Sequence, residues 1–134
     1  MSVILGIGTD LCYVERIRHS LDRLGNAWID RLFSACEREL CIAAADPALS
    51  FAQSFCGKEA CAKALGTGLT QGVEWLDIEV LPYALAPKLQ LRNDALNTLM
   101  QMVPADHGAE LHVTCSSNGL LAQSMVLLSA APNT

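Results

Sequence analysis

Residues 51–65 (FAQSFCGKEACAKAL) constrain the fold of this chain more than any other stretch. The segment reads as one helix. At about 100° per residue, Phe51, Phe55, Ala62 and Leu65 form an apolar face, and Ala52, Cys56, Glu59 and Lys63 fall on an adjacent flank. Gln53, Gly57, Ala60 and Ala64, small or neutral, occupy the remaining side. A surface helix carries a broad charged face, whereas only Lys58, Glu59 and Lys63 are charged here. Charges on such a helix are costly unless they are paired or hold a ligand. Glu59 and Lys63 stand at i and i+4 and can meet. Taken alone, that pair is a helix salt bridge of small worth, the reading the helix pattern favours. The small Ala52 and Cys56 beside it leave room for something else.

The chain of 134 residues predicts one domain, 1–134. A hydrophobic share of 51% and a mean hydropathy of +0.30 exceed what a small monomer can bury, which predicts a homo-oligomer over a monomer with an Ala- and Leu-rich interior. The net charge of −5, with no run of Lys or Arg, argues against nucleic acid as a main partner. Arg16, Arg18, Arg23, Arg31 and Arg38 are interleaved with acidic residues and read as solvated helix charges. The six cysteines show no C-x-x-C spacing and form no ligand array with the three histidines. The N-terminus lacks the basic region of a signal peptide, and no apolar run is long enough to span a membrane. These features predict a cytoplasmic protein with reduced cysteines and no membrane partner.

Taken in order, residues 2–9 predict a buried strand with Asp10 at its end, and residues 11–24 a helix with Leu11, Val14, Ile17 and Leu21 on one stripe. Gly25-Asn26 is a stop, and residues 28–33 resume helix. Ser34 and Glu37 form a capping-box pattern for the next helix, which Asp46-Pro47 breaks. Ser50 caps the 51–65 helix, and Gly66-Thr67-Gly68 ends it. Residues 73–81 and 88–92 predict a hairpin around a turn at 82–87. Asn93 caps a helix to residue 103, residues 110–115 and 120–130 are strands, and the tail 131–134 is frayed. The sum is an α+β fold: a short N-terminal strand, a helical block with one long buried helix, and a small, mostly antiparallel sheet.

Asp10, Glu59 and Lys63 stand out as ionisable residues in apolar surroundings. Two carboxylates from separate elements are a typical partial shell for Mg²⁺, which takes hard oxygen ligands together with substrate phosphates. A lysine one turn away can neutralise a phosphate oxygen or handle a proton. The structural alternative for Asp10 is a helix cap.

Three motifs occur in order: Gly6-Ile7-Gly8-Thr9-Asp10, then Phe55-x-x-Lys58-Glu59-Ala60-x-x-Lys63-Ala64-x-Gly66-Thr67-Gly68, then Asp77-Ile78-Glu79-Val80. In these motifs and their spacing the chain resembles the holo-acyl-carrier-protein synthases, the small 4′-phosphopantetheinyl transferases, over nearly its whole length. The resemblance implies that family's fold, a homotrimer with active sites at subunit interfaces, and transfer of 4′-phosphopantetheine from coenzyme A to a serine of an apo acyl carrier protein. It implies Asp10 and Glu59 as Mg²⁺ ligands, Lys63 as a catalytic phosphate contact, Lys63 and Pro87 as coenzyme A contacts, and Arg16 and Arg23 as docking residues for the acidic carrier.

The chain also departs from the family pattern. Gln53-Ser54 stands where Lys-Arg is common, Leu85-Ala86-Pro87 where Gly-Lys-Pro is common, and Ser117 where histidine is common. Neutral groups at Ser54, Ala86 and Ser117 predict a weakened grip on the nucleotide end of coenzyme A, with Lys58 or Lys88 as possible replacements. A non-catalytic carrier-binding relative is the alternative function.

Overall fold

The structure, a computed structural model, describes residues 1–69 and 73–134. Strand β1 (Val3–Tyr13) leads into helices α1 (Val14–Leu32), α2 (Ala35–Ile42) and α3 (Pro47–Leu65). A 3-10 turn (Trp75–Asp77), strands β2 (Ile78–Leu81) and β3 (Lys88–Leu91), helix α4 (Asn93–Met102) and strands β4 (His107–Ser117) and β5 (Leu121–Pro132) follow. β1, β5 and β4 form an antiparallel sheet in that order, and β2 and β3 form a separate hairpin. This is the expected α+β arrangement.

Helix α3 is the element both cores share. Its first half (Ala48, Phe51, Ala52, Cys56) packs with Val14, Ile17, Leu32 and Phe33 of the α1 region. Its second half (Ala60 to Ala62, Ala64, Leu65) packs with Ile78, Val80, Leu99 and Val126. Burial on nearly every side explains the missing charged face. Asp46 caps the helix by accepting from the Leu49 amide, Pro47 opens it, and Gly66 closes it in the left-handed conformation at φ 80°.

The approach of β1 to α3 is backbone against backbone. A Cβ on Gly6 would lie 2.0 Å from the Ala64 carbonyl oxygen, and one on Gly8 would lie 2.0 Å from that of Ala60. Only glycine permits that contact. Because side chains alternate along a strand, Gly6 and Gly8 direct Asp10 and Cys12 towards α3 as well. The opposite face of β1 presents Ile7, Leu11 and Tyr13, which are 58%, 59% and 54% exposed.

Several boundaries differ from the sequence expectation. β1 does not end at Thr9: its pairing with β5 runs on to Tyr13 opposite Leu121, and the Val14 amide donates to the Leu120 carbonyl. Asp10 is therefore inside the strand, opposite Ser124, and Leu11 belongs to the outer sheet face rather than to the α1 stripe. The expected stop at Gly25 is present: at φ 59° and ψ −141° its backbone is not helical, and α1 is two helical pieces joined across a kink. Ser50 lies within α3, which begins a turn earlier than expected. Asn93 does not cap α4; its amide donates to Asp77, and Arg92 holds the cap position. The hairpin register pairs Ile78 with Leu91, but residues 73–77 lie outside the strand. β5 takes in Ala131 and Pro132, and the Asn133 amide donates to the Asp106 carbonyl, so little of the tail is loose.

A buried polar network ties α2, α3 and β2 together. The predicted capping box at Ser34 and Glu37 is present. The Glu37 carboxylate also accepts from the Val80 amide at 2.7 Å and pairs with Lys58 Nζ at 2.8 Å, both side chains being fully buried. Lys58 directs its other protons to the Trp75 and Ile78 carbonyls, so all three of its donors are used. The Ser54 hydroxyl lies between Glu37 Oε2 (3.0 Å) and the Val80 carbonyl (2.9 Å). Ser34 and Arg92 hold Glu79 at 2.5 and 3.2 Å. Burial pushes the Glu79 carboxyl up, but these two partners outweigh it and leave the group below its ordinary value.

Candidate functional site

The β1–α3 contact brings three of the expected site residues together. Lys63 Nζ lies 3.1 Å from Asp10 Oδ1 and donates to the Thr9 carbonyl at 2.9 Å. Lys63 thus pairs across elements, not along its own helix with Glu59 as the i, i+4 spacing suggested. Glu59, one turn before Lys63 on α3, is half-buried, and its pKa is raised. Burial is the main cause; the negative charge of Asp10 adds to it, and Lys63 opposes both. Two carboxylates that feel each other's charge at a partly dry surface form a site short of positive charge. A divalent cation with oxygen preference fits that donor set. Among the described residues no group of three or more His, Cys, Asp or Glu side chains gathers.

Pro87 does not join this cluster within one chain. It lines a 650 Å³ cleft with Glu79, Lys88, His112 and Thr114, between the hairpin and β4. Lys88 is exposed there, its Nζ 5.7 Å from the centre of the Tyr83 ring. Gln53 and Ser117 meet along a 710 Å³ groove with Tyr83 and Ala84. Arg16 and Arg23 are both exposed on α1. Seven residues apart, they project from nearly the same side of the helix. Among the described residues neither makes an ion pair, whereas Arg18 is held by Glu15 at 2.9 Å and Asp46 at 3.3 Å.

Two readings of the neutral substitutions change. Ser54 is fully buried and bonded within the Glu37 network, so it faces no ligand. Lys58 is equally enclosed and cannot replace a missing surface cation, which leaves Lys88 as the available one. Ser124, opposite Asp10, and the Thr9 carbonyl, which anchors Lys63, were not legible beforehand. Only the β1–β5 register brings Ser124 beside the site.

The sequence model of the 4′-phosphopantetheinyl transferase superfamily matches residues 6–115. The holo-acyl-carrier-protein synthase of Methylorubrum populi is 49% identical over 97% of this chain and 96% of its own length. The chain belongs to the holo-acyl-carrier-protein synthase family. It is therefore an enzyme, a phosphopantetheinyl transferase, rather than a non-catalytic relative. Among solved holo-acyl-carrier-protein synthases, that of Neisseria meningitidis superposes with a TM-score of 0.78 at 27% identity, covering 94% of this chain and 98% of the other. That of Helicobacter pylori, in complex with coenzyme A, superposes with a TM-score of 0.74 at 26% identity, covering 91% and 98%. No helix of the described residues is long and apolar enough to cross a membrane.

Proposed function

We propose that residues 1–134 act as one phosphopantetheinyl transferase domain, cytoplasmic and Mg²⁺-dependent, using coenzyme A and an apo acyl carrier protein. The carrier's serine oxygen forms a bond to the β-phosphorus of coenzyme A. The bond from that phosphorus to the bridging oxygen breaks, and adenosine 3′,5′-bisphosphate leaves with the oxygen. The observation that carries this reading is the convergence of Asp10, Glu59 and Lys63 across the glycine-permitted β1–α3 contact.

Asp10 and Glu59 would hold Mg²⁺, which when bound supplies positive charge at the phosphates. Glu59, one turn before Lys63 on α3, is placed to take up the serine proton. Lys63, half-exposed and fixed by Thr9 and Asp10, offers its ammonium to a phosphate oxygen. Pro87 and Lys88 border the nucleotide end of coenzyme A. Because their cleft is separate from the carboxylates within one chain, the reading is a homotrimer in which a neighbour completes each site. The exposed Ile7, Leu11 and Tyr13 on the outer sheet face support burial between subunits.

The direct test is incubation with coenzyme A, Mg²⁺ and apo carrier, followed by weighing the carrier. A phosphopantetheine mass increment that chelation abolishes is expected. No increment across fatty-acid and polyketide carriers would overturn the reading. For the dock, Arg16→Glu is expected to raise KM for the carrier about tenfold and leave KM for coenzyme A unchanged, since a rim charge acts mainly on encounter. Equal effects on both substrates would contradict the assignment of Arg16.

A further inference from the structure

The Cys12 and Cys56 thiols face each other across the β1–α3 contact with their sulfurs 3.1 Å apart. That is inside the roughly 3.5–4.0 Å of ordinary non-bonded heavy-atom contact. Cys56 is wholly buried and Cys12 is 8% exposed. Each sulfur has a carbonyl neighbour as well: Ala52 lies 3.9 Å from Cys12, and Ala122 lies 3.6 Å from Cys56. Burial as small apolar residues accounts for Cys41 and Cys61, which have no sulfur partner among the described residues. It does not account for a facing pair.

The position of this pair matters. Cys12 follows Asp10 by two residues on the same strand face, and Cys56 precedes Glu59 by three on α3. The sulfurs therefore join the same two elements that hold the carboxylates.

We propose that Cys12 and Cys56 are an oxidation site: a hydroperoxide converts them to a disulfide that locks β1 to α3 beside Asp10 and Glu59 and slows transfer. The effect on transfer rests on the transferase reading above. In the first step the Cys12 sulfur, the more accessible one, takes the terminal oxygen of hydrogen peroxide. The O–O bond breaks, leaving a sulfenic acid and water. The Cys56 sulfur then attacks the Cys12 sulfur; the S–S bond forms, the S–O bond breaks, and the oxygen leaves as a second water with the Cys56 proton. The two thiols lose two electrons in all, and the peroxide gains them.

A disulfide of about 2.05 Å requires the sulfurs to close by roughly 1 Å. Gly6 and Gly8 already place the β1 backbone against the helix, so the closure has no slack to consume there. The bond then ties the strand that bears Asp10 to the helix that bears Glu59, and a tie that displaces one carboxylate from the other by about 1 Å can slow a reaction about a hundredfold.

The test treats the reduced full chain with a small excess of hydrogen peroxide, alkylates the remaining thiols under denaturing conditions, and maps peptides without reduction. Two of the six thiols are expected to escape alkylation, in a linked peptide pair carrying Cys12 and Cys56. Transfer to apo carrier is expected to slow by about tenfold or more and to recover with dithiothreitol. Peroxide should leave the rate of Cys56→Ala unchanged, and Cys12→Val provides the same readout should the first variant fold poorly. Full alkylation of all six thiols, or linkage through Cys36 or Cys115 instead, overturns the site. Linkage with an unchanged rate overturns the control of transfer. A reduced protein that never transfers overturns the transferase reading, while the peptide map still decides the linkage.

Discussion

Replacing Glu59 by Gln is expected to slow transfer by about 10²–10³-fold while leaving the fold intact and, at neutral pH, more stable than the original. The two effects share one cause. Burial and the nearby Asp10 charge raise the pKa of Glu59 in the folded chain. Below the unfolded-state pKa the group is protonated in both states and costs nothing. As pH rises from there towards the folded pKa, the unfolded chain gives up its proton first, and stability is lost. Above the folded pKa the whole cost is present. Glutamine removes that charge, so its advantage should be visible by thermal unfolding at pH 7–8 and vanish near pH 4. The same charge is what the proposed Mg²⁺ site needs. Mg²⁺ should therefore raise the Tm of the original protein, by the linkage of any ligand that binds only the folded state, and should not raise that of Glu59→Gln. A variant with normal turnover, or with an undiminished Mg²⁺ shift, would remove Glu59 from the site.

The residues that build this site were more legible than their connections. The sparse charge of α3 predicted a helix packed on most sides, because burial removes the need for a polar face. Gly6, Gly8 and Asp10 were visible as a motif, but their meaning needed the tertiary contact: two missing Cβ atoms let one backbone touch another and aim a carboxylate at the helix. The partner of Lys63 was misread for the same reason. Spacing along a helix reports neighbours within it, whereas the choice between Glu59 and Asp10 depends on where β1 crosses. Strand and helix boundaries at residues 9–14 slipped because the 11–24 pattern fits a helical stripe, while the ladder to β5 decides the matter. Ser54 shows the limit of a positional comparison. A neutral residue at a commonly basic position suggested a lost ligand contact, yet its side chain points into the protein.

Lys58→Met should be the most destabilising of these substitutions, by about 3–5 kcal/mol, for it breaks a buried ion pair and leaves a buried charge behind. Lys58 and Glu37 are both fully buried at 2.8 Å, and burial, opposed by Glu37, already draws the lysine pKa below its ordinary value. Methionine matches the length of the stem but gives the Trp75 and Ile78 carbonyls no donor. Glu37 would keep the Ser34 and Val80 amides and the Ser54 hydroxyl as partners, but no positive charge. Adding Glu37→Gln removes the stranded charge and should recover at least about 1 kcal/mol, a coupling that unrelated sites would not show. Urea unfolding of the two variants tests both numbers. A loss below about 1 kcal/mol for Lys58→Met would mean that water enters this interior and that the pair is solvated. At a temperature where the single variant remains folded, its KM for coenzyme A should match the original within about twofold, because every proton of the Lys58 ammonium faces the protein. A large rise in that KM, with the stability loss as predicted, would instead show that the α3–β2 tie positions the nucleotide cleft through Glu79.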